Sequence, residues 1–414
     1  MRRSTAWSAA AAVAVAVGAM VALANTGSAA PSVTTTALSA NWYAAAPYVM
    51  PLDNDPPDLT QVMAATGQRA FQLSFILSDG GCSAAWDGSA SQEVASDTTV
   101  AGVINSVRAA GGDVSVSFGG ANGTKLGQVC GTPTATAAAE QAVITKYGLH
   151  AIDLDLEEPE YENTTAINNE IGAAQILQRN NPGLFISITT AGTAAGTGFF
   201  GQNVLNTAKG IGFTPNNFSI MPFDGGFSGA ASQISALNAF HTLLVNTFGW
   251  DSATAFAHEG FSGMNGRTDS AEMFTQTDFS SVLSYATTNG LARFTFWSLN
   301  RDRQCSVPDN NGSLSGTCSS VPQAAWDFTR FDVQFAGATP PPPPVSTQPA
   351  PPVSTTPPAG GTGTCAGVPA WNGSTAFVGG STVTFGGHKW TAQWWTFNDT
   401  PGGAAGVWVD NGPC

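Results

Sequence analysis

Three acids on one short stretch are the residues in this chain best placed to do chemistry. They fall at alternate positions of His150-Ala-Ile-Asp153-Leu-Asp155-Leu-Glu157. On a strand, Asp153, Asp155 and Glu157 share one face while Ile152, Leu154 and Leu156 take the other. Like charges held so close cannot all stay ionised, so at least one carboxyl is expected to keep a proton near neutral pH. Such crowding belongs where a proton must be held and released, which is general acid–base work. The bland alternative is a strand with a solvated acidic face, and a barrel strand seldom has its inner face in water. His150 is expected on the approach to the acidic face, provided the strand reaches that far.

A second chemical feature lies at the C-terminus. Between Cys365 and Cys414 stand Trp371, Trp390, Trp394, Trp395 and Trp408. So small a unit builds little core, and a disulfide between its end cysteines is a natural staple. Some indoles must form that core, and the surplus can present a flat aromatic face to sugar rings. Charge points the same way. The formal net charge is −14, and the only lysines are Lys125, Lys146, Lys209 and Lys389. Nucleic acid and anionic membranes need basic patches, so both are excluded as expected partners. An uncharged or cationic polymer fits.

The elements that must position these groups can be read at coarse grain. Arg2 and Arg3 precede an Ala/Val-rich run over 9–24 and a small-residue exit over 27–30, as in an export signal covering 1–30. The expected compartment is therefore extracellular. Six cysteines, Cys82, Cys130, Cys305, Cys318, Cys365 and Cys414, suit disulfides there. Pairing of sequence neighbours is the simplest arrangement, although sequence does not fix connectivity. A proline- and threonine-rich stretch over 337–364 cannot bury a core and reads as an extended linker. It separates a large unit over 38–336 from the small one over 365–414.

In the large unit, strand-like runs at 41–43, 70–77, 113–118, 151–157, 184–189, 218–223, 254–257 and 292–298 alternate with helix-like stretches. Eight such alternations fit an α/β fold of (β/α)8 TIM-barrel type, with a doubly wound open sheet as the alternative. The acids would then point into the barrel. Gly196-Thr-Gly198-Phe-Phe-Gly201 matches a nucleotide-loop pattern, but alone it is weak and reads as a loop on the barrel top. Asp309 to Ser313 lacks the ligand series of a calcium loop. No metal or cofactor is expected.

These residues resemble a known family. The D-x-D-x-E of Asp153, Asp155 and Glu157 is similar to the signature of glycoside hydrolase family 18 chitinases, D-x-x-D-x-D-x-E. Ser117-Phe-Gly119-Gly120 matches the S-x-G-G ending the third strand of that family. Met221-Pro-Phe223-Asp224 falls where the family has M-x-Y-D. Residues 264–269 followed by Glu272, and 296–302 around Trp297, resemble the ends of strands seven and eight in actinobacterial members. In order, these cover most of 38–336. The C-terminal unit resembles the chitin-binding modules of carbohydrate-binding family 5/12, with their A-x-W-W-T core, and this would make Trp394, Trp395 and Trp371 its binding residues.

The resemblance implies a small all-β disulfide-stapled module beside the barrel, and retaining hydrolysis of β-1,4-linked N-acetylglucosamine polymers. Glu157 would be acid then base, and the substrate's own acetamido oxygen would act as nucleophile. Asp155 would hold the acetamido group and share a proton with Asp153. Trp297, Met221, Phe223, Asp224 and Gly119 would line the substrate site. The expected partners are chitin and chito-oligosaccharides, met by a monomer. Three departures stand out: His150 for the first Asp of the signature, Phe223 for Tyr, and Glu158 where relatives tend to have Gly. A non-catalytic chitin-binding protein and an endo-β-N-acetylglucosaminidase are the alternatives.

Overall fold

The computed structural model describes residues 37–337 and, within 365–414, all but 366, 374–375, 378–379, 393–395, 398–399 and 404–406. The expected export signal, nearly all of the linker, and Trp394 and Trp395 lie outside the described residues.

Eight parallel strands alternate with helices. The strands are β1 (Tyr48–Val49), β2 (Ala70–Ser78), β3 (Asp113–Gly119), β4 (Ala151–Leu156), β5 (Phe185–Thr193), β6 (Asn217–Met221), β7 (Glu259–Met264) and β8 (Arg293–Trp297). They pair in sequence order from β1 to β8. The main helices are α1 (Leu59–Thr66), α2 (Thr99–Ala109), α3 (Pro133–Tyr147), α4 (Thr164–Asn180), α5 (Phe199–Ile211), α6 (Gly229–Phe248), α7 (Gln276–Asn289) and α8 (Thr329–Phe335). Side chains close the seam between β8 and β1. Thr295 Oγ1 donates to Ala46 O at 2.6 Å, and Asn300 bridges the N–H and C=O of Met50 at 2.9 and 3.0 Å. The expected (β/α)8 barrel is the fold.

Strand periodicity sorts the residues into two layers. Val114, Val116, Ile152, Leu154, Leu156, Ile186, Ile188, Phe294 and Phe296 face outward into one core with Ile104, Val143, Leu177, Leu205 and Phe279 of the helices. Each such side chain stabilises the fold by roughly 1.5–3 kcal/mol when fully buried. The inward layer is polar instead. Gln72, Ser115, Ser117, Asp153, Asp155, Ser187, Thr189, Ser219, Ser262, Arg293 and Thr295 are all buried.

Two expected strands are helices. Residues 41–43 belong to a short helix, Ala40–Ala44, whose Tyr43 and Ala44 pack with Ala70, Ala151 and Phe185. The true first strand is only two residues long, too short for a periodic signal. Residues 254–257 lie at the short helix Ser252–Phe256, which Asp251 starts by accepting the N–H of Thr254 at 2.7 Å. The seventh strand follows it as Glu-Gly-Phe-Ser-Gly-Met. Its glycines hide it from propensity, yet packing demands one of them: a Cβ at Gly260 would meet Ser219 Oγ at 2.0 Å.

The cysteines bridge as sequence neighbours: Cys82–Cys130, Cys305–Cys318 and Cys365–Cys414. The first ties the loop after β2 to that after β3. Gly196–Thr197 pairs antiparallel with the end of β5 and leads into α5, so the nucleotide-loop pattern is a turn. No described helix is long and apolar enough to cross a membrane.

The C-terminal unit has an antiparallel sheet of Thr382–Phe385, His388–Ala392 and Trp408–Pro413, and a two-stranded one of Ala376–Phe377 with Thr396–Phe397. Its core is Val383, Ala392, Val407 and Trp408, with Trp371, Phe377 and Trp390 packed against it. Trp371 is thus partly committed to the core, where it meets Phe385 edge-on at 5.3 Å.

Candidate active site

The carboxylate strand is β4, and its acids climb the inner face toward the C-terminal mouth, where barrel active sites form. Asp153 lies deepest and is fully buried. Its Oδ2 accepts from Tyr48 Oη (2.9 Å), Gln72 Nε2 (3.1 Å) and Ser117 Oγ (2.7 Å). Its Oδ1 accepts from Thr189 Oγ1 (2.9 Å) and pairs with Arg293 at 2.6 Å. Arg293 is equally buried, and its other arm donates to Gln72 Oε1 at 2.9 Å. Both Asp153 oxygens are therefore taken by donors from β1, β2, β3, β5 and β8. The described hydrogen bonds include none between Asp153 and Asp155, which are linked here by the charge of one acting on the other.

Asp155, one step higher, is almost as buried but differently served. Its Oδ1 has no hydrogen-bond partner. Burial pushes its pKa well above 3.8, the charges of Glu157 and Asp153 push the same way, and Arg293 and Lys125 oppose them. Glu157 is the first residue beyond the strand, at the mouth. Burial raises it to about 7 against the pull of Lys125, with Glu158, Asp224 and Asp269 adding to the rise. A carboxyl with that value can both give and take a proton near neutrality.

Lys125 itself is buried and donates to the carbonyl of Glu158 at 3.0 Å, which ties down the turn carrying Glu157. Burial lowers its pKa from 10.5, while Glu160, Glu157, Asp155 and Glu158 counteract.

The mouth opens into a cleft of about 610 Å³. Asp155, Glu157, Trp297, Met221, Phe223 and Asp224 all line it, together with Tyr48, Phe75, Ser262, Met264 and Asp269. The chain brings these together from β1, β2, β4, β6, β7 and β8. Trp297 stacks on Phe75 with centroids 5.4 Å apart and planes 18° apart, and Tyr48 meets it edge-on at 6.1 Å. Non-proline cis peptides adjoin both stacked rings, at Ser74–Phe75 and Trp297–Ser298. Glu272 fixes the turn after β6, accepting from the backbone N–H groups of Asp224 (2.7 Å), Gly226 (2.7 Å) and Phe227 (2.6 Å). Phe223 offers no hydroxyl, and the hydroxyl of Tyr48 is spent on Asp153.

Two residues stand elsewhere than the sequence suggested. Gly119 does not line the cleft. It lets β3 press against the carboxylate strand: φ is +111°, and a Cβ there would lie 2.0 Å from Asp155 O. His150 precedes β4 at the opposite end of the barrel from the mouth. Its Nδ1 meets Asp113 Oδ2 at 2.8 Å, beside the Arg108–Asp113 ion pair and the Tyr43 hydroxyl, which donates to the same oxygen at 2.6 Å. It therefore closes the barrel bottom and is not on the approach to the acids. Alternation itself puts position 150 on the face of Ile152.

Arg293, Tyr48, Gln72, Lys125 and Ser262 were not singled out from sequence as site residues. The one available signal was an arginine in the apolar strand Arg-Phe-Thr-Phe-Trp, at the register of an inward residue. Among the described residues, no group of three or more His, Cys, Asp or Glu side chains is arranged to hold a metal ion.

The architecture is one shared with chitinase domains of known structure. The catalytic domain of a hyperthermophilic chitinase from Pyrococcus furiosus superposes with a TM-score of 0.63 at 24% identity, over 70% of this chain and 94% of that one. Catalytic-site mutants of active domain 2 of the chitinase from the same organism, complexed with chito-oligosaccharides, give 0.62 at 23% identity, with the same coverage. No family model matches the chain. No curated protein matches it in sequence.

Proposed function

We propose that this chain is a glycoside hydrolase of the family 18 type that cleaves β-1,4 links in N-acetylglucosamine polymers with retention. The observation that carries the reading is the pair Asp155 and Glu157: one carboxyl buried with an unpartnered oxygen, the next poised near pH 7 at the cleft mouth. The fold likeness to chitinase domains supports the choice of polymer.

A sugar ring lies on Trp297, and Glu157 gives its proton to the glycosidic oxygen as the bond to C1 breaks. The acetamido oxygen of the same sugar closes on C1 and forms an oxazolinium ring, so no carboxylate nucleophile is needed. Asp153 is unsuited to that role, since donors occupy both its oxygens. Asp155 accepts the acetamido N–H and faces the developing positive charge, which favours its ionised form. Water then attacks C1 while ionised Glu157 takes its proton, the oxazolinium C1–O bond breaks to restore the acetamido group, and the acid is regenerated.

In the same reading, residues 1–30 direct export, and 365–414 form a chitin-binding module on a linker. The three disulfides and the tryptophan-bearing sheet support this. The full chain is expected to release N-acetylglucosamine oligomers from colloidal chitin. A chain ending at Ala336 should lose most activity on the insoluble polymer while cleaving soluble oligomers at the full-length rate. Binding without release would mark a lectin, the reading that Phe223 favours. Parallel losses on both substrates would show that 365–414 supports the barrel instead.

A further inference from the structure

Several buried polar groups of the barrel interior are committed to protein partners, whereas two residues lining the cleft carry a buried polar atom that is not. Tyr48 is bound to Asp153, and Thr295 to Ala46. Ser262, on the inner face of β7, is 1% exposed and lines the cleft, yet its Oγ has no hydrogen-bond partner. Its register neighbour on β8 is Thr295, whose hydroxyl is already used. On the other side, Ile220 of β6 pairs with Phe261, which brings Met221 level with Ser262, and a thioether is a poor partner.

Asp155 Oδ1 is stranded for parallel reasons. Its neighbours in register are Gly119, without a side chain, and Thr189, whose hydroxyl serves Asp153. Both atoms lack a partner within the protein and both belong to residues that line the cleft, where a ligand can reach them.

A ligand that satisfies both offers an acceptor to the hydroxyl and a donor to the carboxylate, with something apolar beside Met221. An amide with a methyl group is such a ligand. We propose that Ser262 donates its hydroxyl hydrogen to the carbonyl oxygen of the substrate's acetamido group and, with Asp155 on the N–H, selects N-acetylated sugars. This rests on the hydrolase reading above and adds to it the residue that holds the attacking oxygen. It also supplies a hydroxyl where Phe223 has none.

The test uses the full chain carrying Glu157→Gln, so that binding is read without turnover. Titration with chitotetraose should show affinity falling about 10-fold when Ser262→Ala is added, the range expected for a lost neutral hydrogen bond to ligand. The thermal midpoint of the ligand-free protein should hold or rise, because the substitution removes an unsatisfied buried group. The weak binding of the glucosamine tetramer should not change. Affinity within twofold of the parent would overturn the proposal, as would a lower ligand-free midpoint or an equal loss for the glucosamine tetramer. A parent that binds neither oligomer would instead overturn the hydrolase reading, and Ser262's role with it.

Discussion

Glu157→Gln is expected to slow cleavage of soluble chito-oligosaccharides by about 10³-fold while leaving KM nearly unchanged, the scale of a lost general acid. The substitution keeps the size of the side chain and a hydrogen-bonding end, but removes the proton that the leaving group needs. The pH profile provides a second readout. Glu157 must be protonated for the first step, and burial places its pKa at about 7. Wild-type kcat is therefore expected to fall as pH rises through that value. The residual activity of the Gln variant should lack this alkaline limb, because no titrating acid remains at the position. An unchanged limb would assign it to another group.

Arg293→Met has the largest expected effect on stability. Arg293 and Asp153 are both fully buried and paired at 2.6 Å, and removing the guanidinium leaves a carboxylate in the barrel without a countercharge. Breaking such a pair by removing one partner typically costs about 3–5 kcal/mol. A denaturant titration should show this as a lower midpoint. Adding Asp153→Asn should restore part of the loss, because the uncompensated charge is then gone, and the double variant should be more stable than Arg293→Met alone. A single variant within about 0.5 kcal/mol of wild type would mean that water or relaxation solvates Asp153. Activity should fall as well, since Arg293 opposes the rise in the Asp155 pKa and Asp153 adds to it.

What the sequence disclosed and what it hid divide along a physical line. Asp153, Asp155 and Glu157 are legible because two-residue alternation is local: once the stretch is a strand, their common face follows. The outward residues Ile152, Leu154 and Leu156 are legible for the same reason. Arg293 meets Asp153 across 140 positions of chain, and only the order and register of eight strands bring them together. Tyr48 sits on a two-residue strand that has no periodicity to detect. Ser262 lies on a strand whose glycines, one of them forced by Ser219, erase the β-branched signature of its neighbours. His150 shows the converse. Extending the strand back to it suggests the approach to the acidic face, whereas the parity of position 150 puts it with Ile152, and it stands at the barrel bottom with Asp113.

The central claim is that cleavage starts with proton transfer from Glu157 and proceeds by two displacements at the anomeric carbon, hence with retention. Proton NMR of chitotetraose during the first minutes of cleavage tests it most directly, read before the new reducing ends mutarotate. Two displacements at C1 predict that the β-anomer of the product appears first and then decays toward equilibrium. Initial appearance of the α-anomer, or no new reducing end at all, would contradict the account.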